Sequence, residues 1–186
     1  TLKLDLTEEG APQKLIDEAL AKFGRIDVLV NNAGYGFVGA VEEATLAEVR
    51  RQFETNFFGM VQVTQAVLPH MRSRGNGHIL NLSSGAGVIA SPGLGYYAAS
   101  KFAVEGLMQV LADETDTTTH IRANSVNPGK MRTPMRAKAY PGETPDALPA
   151  LHAIAMADPR MAALGVGSED LSTELEAVPG ADSLYV

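Results

Sequence analysis

Apolar and polar side chains recur along this chain with two different periods, and these periods predict strands and helices in turn. Period-two alternation and β-rich apolar runs predict four strands, at residues 2–6, 26–30, 78–82 and 121–126. Apolar positions at helical spacing predict three helices, at residues 15–23, 45–72 and 97–114. Because strands alternate with helices, the pattern is that of successive βαβ units.

This alternation predicts an α/β fold with three layers, in which a doubly wound parallel sheet carries helices on both faces. The chain of 186 residues is expected to form a single domain, residues 1–186. Residues 1–131 would supply the sheet and its helices, whereas prolines interrupt every pattern in residues 132–186. In that irregular C-terminal part, only residues 147–157 and 159–164 show helical spacing.

Composition argues against several classes of partner. The net charge is −7 with no block of basic residues, which argues against nucleic acid and against an anionic membrane surface. No apolar run reaches the ~20 residues that a membrane-spanning helix needs. The chain has no cysteine, and its four histidines share no metal-ligating spacing. We therefore expect a cytoplasmic protein without disulfides and without a metal site.

Small polar residues and glycines follow three of the predicted strands. Residues 31–34 (Asn-Asn-Ala-Gly), Ser83 with Ser84, and Pro128 with Gly129 each come directly after an apolar run. Each cluster taken singly is typical of a turn. Ligands of open parallel sheets bind beyond the carboxyl ends of the strands. The three clusters together therefore predict a ligand site at that edge of the sheet.

Tyr97 and Lys101 are the candidate reactive pair. They lie four residues apart at the start of a predicted helix, which puts the phenol and the ammonium on one face. A neighbouring ammonium favours the phenolate, so we expect Lys101 to lower the pKa of Tyr97 from its usual value of about 10. A phenol of lowered pKa is a usable general acid or base. Ser84 precedes Tyr97 by thirteen residues and ends a strand at the same edge.

Asn56 is a polar residue beside the apolar stripe of helix 45–72, three residues before Gly59. A buried amide costs free energy unless it is hydrogen-bonded. Two interpretations are open at this point. Asn56 marks a helix irregularity that frees a backbone carbonyl for water, or it faces solvent.

In this order and spacing, these residues resemble the short-chain dehydrogenase/reductase family in its common Rossmann-type form. The matching features are Asn31-Asn32-Ala33-Gly34, Asn56, Leu82-Ser83-Ser84, Tyr97-Ala98-Ala99-Ser100-Lys101, Asn127-Pro128-Gly129 and Thr133. They extend over roughly residues 2–135. The resemblance implies a Rossmann-like fold and an oxidoreductase that interconverts a secondary alcohol and a ketone or aldehyde with NAD or NADP.

The resemblance also implies four catalytic roles. Tyr97 would be the proton donor or acceptor for the substrate oxygen, and Ser84 would hydrogen-bond that same oxygen. Lys101 would lower the pKa of Tyr97 and hold the nicotinamide ribose. Asn56 would position a water that links Lys101 to solvent as a proton relay. The hydride belongs to the cofactor, so the protein supplies orientation and electrostatics.

Further residues are implied as cofactor contacts. Asp5 and Leu6 match the family's adenine contacts, in addition to the roles of Tyr97 and Lys101. The backbone contacts on the adenosine side would be Asn32, Ala33 and Gly34. The contacts at the nicotinamide end would be Pro128, Gly129 and Thr133.

The resemblance also bears on substrate and assembly. The family keeps a mobile substrate lid in the segment that corresponds to Arg132 to about Pro149. The resemblance also implies a homodimer or homotetramer formed through helices 45–72 and 97–114. If the loops close over the site, a mostly apolar pocket is expected, lined by Val88, Pro92, Leu94 and Met135. Such a pocket favours a hydrophobic carbonyl or alcohol as the small-molecule substrate.

The chain departs from the family at its N-terminal end. The family opens with a strand, a TGxxxGxG loop and a helix that binds the pyrophosphate. None of these occurs in the 186 residues, so we expect an N-terminally truncated portion of a longer protein. Without the missing strands, Val28 and Val30 would border an open apolar sheet edge.

Two other function classes compete with the oxidoreductase. One is a non-catalytic nucleotide-binding or oligomerisation module that is inactive as this truncated chain. Absence of the glycine-rich loop favours it, whereas the joint presence of Ser84, Tyr97 and Lys101 opposes it. The other is a hydrolase built on Ser84, but the chain lacks the glycine two residues before the serine that a nucleophile elbow needs.

Overall fold

The structure of the protein, a computed structural model, describes residues 4–116, 119–149 and 164–166. Its helices are α1 (Ala11–Phe23), α2 (Leu46–Phe53), α3 (Met60–Arg74), α4 (Gly95–Asp116) and α5 (Pro134–Ala139). Its strands are β1 (Val28–Asn31), β2 (Asn76–Leu82), β3 (His120–Val126) and β4 (Leu164–Val166). A π-helical turn, Glu54–Gly59, joins α2 to α3, and short 3-10 turns occupy Gly85–Gly87 and Pro145–Ala147.

The four strands form one parallel sheet in the order β3-β2-β1-β4. This confirms the parallel α/β architecture predicted from the alternation of strands and helices. The prediction of an open sheet edge at β1 is wrong, because Leu29 to Asn31 pair with Leu164 to Val166 of β4. Strand β4 was not predicted, because a strand of three residues is too short to show a period.

The strand predicted at residues 2–6 is wrong for the part that the structure describes. Leu4 and Asp5 are irregular, and Leu6 begins a turn; residues 1–3 lie outside the described ranges. The Asp5 carboxylate accepts hydrogen bonds from the Thr7 amide at 2.9 Å and from the Thr7 hydroxyl at 2.7 Å. Local side-chain bonds of this kind compete with strand pairing and favour a turn.

One apolar core joins the helices to one face of the sheet. Leu29, Ile79 and Ala123 lie in register across β1, β2 and β3, and all three are buried. Side chains of α1, α3 and α4 complete the same core, among them Ile16, Val67 and Val104.

Within the described ranges, the opposite face of the sheet is less buried than this core face. Val30 and Leu80, on the opposite face, are half-buried, and Arg122 and Asn124 are exposed.

All three predicted helices differ in detail, since α1 begins at Ala11 rather than at residue 15, and one helix was missed. Helix 45–72 is divided by the π-helical turn, whereas helix 97–114 is continuous and runs two residues further at each end as α4. The short α5 was not predicted, although Thr133 caps it and Pro134 occupies its first turn. The predicted helix 147–157 is wrong where it is described, because residue 147 ends a 3-10 turn and Leu148 and Pro149 are not helical. Residues 150–163 lie outside the described ranges, and Leu164, the last residue of predicted helix 159–164, begins β4. No helix within the described ranges is both long and apolar enough to cross a bilayer.

Candidate active site

A cleft of about 500 Å³ opens beyond the carboxyl ends of β2 and β3. Its walls come from the loops that follow β1, β2 and β3, from the first turns of α4, and from α5. Ser83, Ser84, Tyr97 and Gly129 line it together. The structure thus brings two of the three predicted strand-end clusters to one cavity, as their position on a parallel sheet requires.

Ser84 and Tyr97 face each other in this cleft. Ser84 ends the segment that follows β2, and its hydroxyl accepts a hydrogen bond from the Ala86 amide at 3.2 Å. Burial raises the pKa of Tyr97 above its usual value, and a hydrogen bond with the Ser84 side chain lowers it in part. A Cβ atom on Gly36 would lie 3.4 Å from the Tyr97 ring, so the backbone of the loop after β1 packs directly on that ring.

Lys101 lies behind Tyr97 and is only 6% exposed. Its ammonium donates a hydrogen bond to the Leu82 carbonyl at 2.7 Å and lies 5.9 Å from the centroid of the Tyr97 ring. Burial lowers the pKa of Lys101 to about 8, against a smaller opposite effect of Glu105. A buried ammonium of this kind gives up its proton near neutral pH far more readily than a surface lysine does.

The expected lowering of the Tyr97 pKa by Lys101 is therefore wrong for this arrangement. The pKa of Tyr97 is raised, with burial as the main cause and the hydrogen bond with the Ser84 side chain as the opposing one. The physical reason is that the ammonium is directed to the end of β2, where the Leu82 carbonyl accepts its hydrogen bond.

Asn56 is 2% exposed and lies in the π-helical turn, so the interpretation that it faces solvent is wrong and the helix irregularity is confirmed. Its side-chain amide bonds both backbone groups of Tyr35, accepting from N at 2.9 Å and donating to O at 2.8 Å. It also donates to Ser100 Oγ at 3.1 Å. Asn56 therefore fastens the loop after β1 to α4, next to Lys101.

A second, inner cavity of about 10 Å³ lies beside Asn56 and Lys101, with Asn31 also in its wall. This volume is at the lower limit for a single water molecule. Among the described residues, Asn31 Oδ1 is a buried acceptor without a hydrogen-bond partner. A Cβ atom on Gly34 would lie 3.2 Å from Asn56 Oδ1 and 3.7 Å from Lys101 Nζ, so a side chain at this position would crowd Asn56.

The predicted cofactor contacts divide into three groups. Gly129 and Thr133 line the cleft together with Tyr97. Leu6, Ala33 and Lys101 line the inner cavity instead. The remaining predicted contacts do not line either cavity in the part of the chain that the structure describes, namely Asp5, Asn32, Gly34 and Pro128.

The cleft offers polar atoms and open backbone to a ligand. Gly129 has a φ of 77°, which favours glycine, and a Cβ there would meet no atom within 4 Å. Ser83 Oγ, in the cleft wall, is buried and has no partner among the described residues. Thr133 Oγ1 accepts from the Arg136 amide at 3.0 Å, which leaves its own proton to donate. The nicotinamide-end residues therefore fit a polar, flat ligand.

The apolar side of the cleft differs from its prediction. Leu94 and Met135 line it as expected, whereas Val88 and Pro92 do not. Sequence reasoning missed further lining residues, including Val38, Ile89, Tyr140 and the cations Lys130 and Arg136. The sequence offers only one signal for these positions, an apolar or basic residue in a stretch rich in glycine and proline, and that signal does not identify a residue as lining a cleft.

The histidines do not supply a base to Ser84 in the described part. His70 Nε2 accepts from the Ile26 amide at 3.3 Å, and His78 bonds Asn124 across the sheet at 2.7 Å. Neither of them, nor His120, lines the cleft, and His152 lies outside the described ranges. Within those ranges, no group of three His, Asp or Glu side chains could hold a metal ion.

Comparison with known proteins agrees with the motifs. A family model described as short chain dehydrogenase matches residues 1–144. The chain is 46% identical over 132 residues to 3-ketodihydrosphingosine reductase of Bacteroides thetaiotaomicron, covering 71% of this chain and 49% of that protein. It spans about half the length of the curated relatives it matches.

Solved structures give the same result. A short-chain dehydrogenase from Streptomyces avermitilis superposes with a TM-score of 0.68 at 43% identity, over 72% of this chain and 49% of that one. ElxO with NADP bound superposes with a TM-score of 0.70 at 33% identity, over 75% of this chain and 56% of that one. Both proteins are similar to this chain over the same α/β core.

Proposed function

The chain belongs to the short-chain dehydrogenase/reductase family, and on that basis we propose that it is an oxidoreductase that interconverts a secondary alcohol and a ketone or aldehyde with NAD or NADP. The observation that carries the proposal is the placement of the Ser84 hydroxyl and the Tyr97 phenol in one cleft, with the Lys101 ammonium one helical turn behind. A relative named for reducing a 3-keto compound and a neighbour titled with bound NADP support it.

The chain's own residues would move a proton and hold the substrate. Tyr97 would give its proton to the carbonyl oxygen in reduction and take it back in oxidation, while Ser84 hydrogen-bonds that oxygen and orients it. Lys101, with a pKa of about 8, would resupply the proton. Asn56 would keep a water beside Lys101 in the inner cavity, whose volume of about 10 Å³ is at the lower limit for one molecule.

The cofactor would lie along the same edge of the sheet. Gly129 and Thr133 would hold its nicotinamide end, because they line the cleft next to Tyr97. Ala33 and Gly34 would offer backbone to its adenosine side, with Asp5, Leu6, Asn32 and Pro128 as further proposed contacts. When bound, the nicotinamide donates or accepts the hydride.

Calorimetric titration with NADH and NADPH, followed by an absorbance assay for cofactor consumption with ketones, tests the function. We expect binding of one or both cofactors and consumption that depends on the ketone. Binding without turnover would support the non-catalytic module instead. Absence of both cofactor binding and turnover would contradict the oxidoreductase and the non-catalytic nucleotide-binding module together.

The proposed assembly is a homodimer or homotetramer formed through α2–α3 and α4. The outer faces of these helices carry Leu46, Phe58, Phe102 and Val110, all exposed large apolar side chains. Apolar side chains exposed on a helix pair are typical of a surface that another copy covers.

Phe102→Lys is expected to weaken that self-association at least tenfold, because it places a charge in an apolar contact. Light scattering after size exclusion would report the mass of the particle against concentration. Phe23→Lys, at an exposed phenylalanine on α1, is the matched control and should not change the mass. An unchanged mass for Phe102→Lys would contradict the proposed interface.

A further inference from the structure

Four exposed large apolar side chains converge on the cleft from separate segments of the chain. They are Val38 (49% exposed), Ile89 (73%), Met135 (36%) and Tyr140 (41%), and all four line the cleft wall. We call them the apolar rim. Single exposed apolar side chains are normal on a protein surface, but a group that surrounds one cavity marks a binding site for an apolar ligand.

The apolar rim is held in place by contacts between the segments that carry it. The Gly39 amide donates to the Gly93 carbonyl at 2.9 Å, and the Tyr96 hydroxyl donates to the Val41 carbonyl at 2.8 Å. The first bond connects the loop of Val38 to the loop that includes Ile89, and the second connects it to the first turn of α4. Because the rim is held before a ligand arrives, little conformational freedom remains to be lost on binding.

The lid side of the apolar rim is also braced. Arg136 stacks on the Tyr140 ring at 3.7 Å and makes two hydrogen bonds to the Glu143 carboxylate, at 2.6 and 2.9 Å. The charge of Arg136 is thus balanced within the lid. Lys130 is the other cation in the cleft wall. Apolar area, more than charge, therefore distinguishes one ligand from another in this part of the cleft.

The size of the cleft agrees with a ligand larger than a short ketone. At about 500 Å³, a volume that the substrate would share with the nicotinamide end of the cofactor, it falls within the range of pockets that enclose drug-sized molecules. Ser84 and Tyr97 are polar and the rim is apolar, so the cavity has a polar, reactive end and an apolar end. A molecule that matches both ends has a carbonyl or hydroxyl near one terminus and an alkyl chain beyond it.

We infer that the substrates are long-chain ketones and secondary alcohols, whose alkyl chain crosses the apolar rim while the oxygen reaches Ser84 and Tyr97. This inference rests on the proposed function and adds its substrate class. Ile89 would be the main determinant of chain-length preference, because it is the most exposed member of the rim and gains most from being covered.

The test is a series of methyl ketones, butan-2-one, octan-2-one and dodecan-2-one, assayed at saturating cofactor. We expect kcat/KM to rise about two- to fourfold for each methylene that crosses the rim. Ile89→Ser should lower the dodecan-2-one to butan-2-one ratio of kcat/KM about tenfold. Val88→Ser is the matched control, since Val88 is adjacent and 67% exposed but does not line the cleft, and it should leave the ratio unchanged.

The outcomes separate the two proposals. Turnover of butan-2-one with no gain for longer ketones would overturn the substrate class and leave the proposed function standing. If no ketone is turned over, the proposed function fails. Calorimetric titration with dodecan-2-one then tests separately whether the apolar rim binds an alkyl chain. Binding that Ile89→Ser weakens and Val88→Ser does not would support the rim as an alkyl site; equal binding to all three proteins would overturn it.

Discussion

Tyr97→Phe is expected to lower kcat by about 10²–10⁴-fold, because it removes the hydroxyl that exchanges a proton with the substrate oxygen. The ring itself stays, so its packing against the backbone of Gly36 is kept. The free energy of unfolding should therefore fall only by about 0.5–1.5 kcal/mol, for the lost hydrogen bond with the Ser84 side chain. Steady-state consumption of the reduced cofactor gives kcat, and urea unfolding gives the stability of the same preparation.

The neighbouring tyrosine provides a matched control for this experiment. The Tyr96 hydroxyl donates to the Val41 carbonyl at 2.8 Å, outside the wall of the cleft. Tyr96→Phe removes the same atom one position away, at a stability cost of about 0.5–1.5 kcal/mol for the lost hydrogen bond. With butan-2-one, which is too short to cross the apolar rim that this bond helps to hold, we expect its kcat to stay within about threefold of the original, in contrast with the loss at Tyr97. A Tyr97→Phe protein with full kcat would remove Tyr97 from the proposed mechanism.

Much of the fold could be predicted because its elements depend on local apolar period. The run at residues 78–82 and the helical spacing of residues 97–114 correspond to β2 and α4 within a few residues. The parallel order followed from the alternation of these elements along the chain. Where the structure departs from the predictions, the cause is either a contact distant in sequence or an element too short to show a period.

The π-helical turn illustrates the first of these causes. Asn56 is buried because its amide bonds the backbone of Tyr35, which lies 21 residues earlier in the chain. No local pattern at residue 56 could distinguish this from a solvent-facing amide. The short strand β4 and the six-residue helix α5 illustrate the second cause.

The placement of Ser84 and Tyr97 in one cleft could be predicted from the sequence, whereas the electrostatics of the cleft could not. Ser84 and Tyr97 come together because one ends a strand and the other begins the next helix of a parallel sheet. The direction of a pKa shift instead depends on burial and on which atom each group contacts. The prediction for Tyr97 assumed that the ammonium of Lys101 points at the phenol, whereas it bonds the Leu82 carbonyl.

Lys101→Met is expected to lower kcat/KM by about 10²–10⁴-fold, the usual contribution of a group in proton transfer. Methionine keeps the length and most of the apolar stem, so the packing of α4 is largely preserved. The ammonium that would resupply the proton to Tyr97 is lost. A cofactor consumption assay gives the activity, and calorimetric titration with the same cofactor shows whether the loss is in binding or in turnover.

The same variant reveals the cost of burying the ammonium, through the pH dependence of stability. The pKa of Lys101 is about 8 in the folded protein, against 10.5 for an ordinary lysine. Between these values the unfolded chain holds more protons, so the free energy of unfolding rises with pH, by about 3 kcal/mol in total. Below pH 8 both states are protonated, and the full cost of the buried charge is present.

Urea unfolding of the original protein and of Lys101→Met between pH 7 and pH 10 measures this difference. The original protein should gain stability relative to the variant as pH rises above about 8, with the gain continuing toward 10.5. Tyr97 and all other titrating groups are present in both proteins, so to first order their contributions cancel. Lys14→Met, at an exposed lysine on α1, is the control and should show a flat difference. A flat difference for Lys101→Met as well would mean that the ammonium titrates alike in the folded and unfolded chains, and that its burial does not prepare it to release a proton.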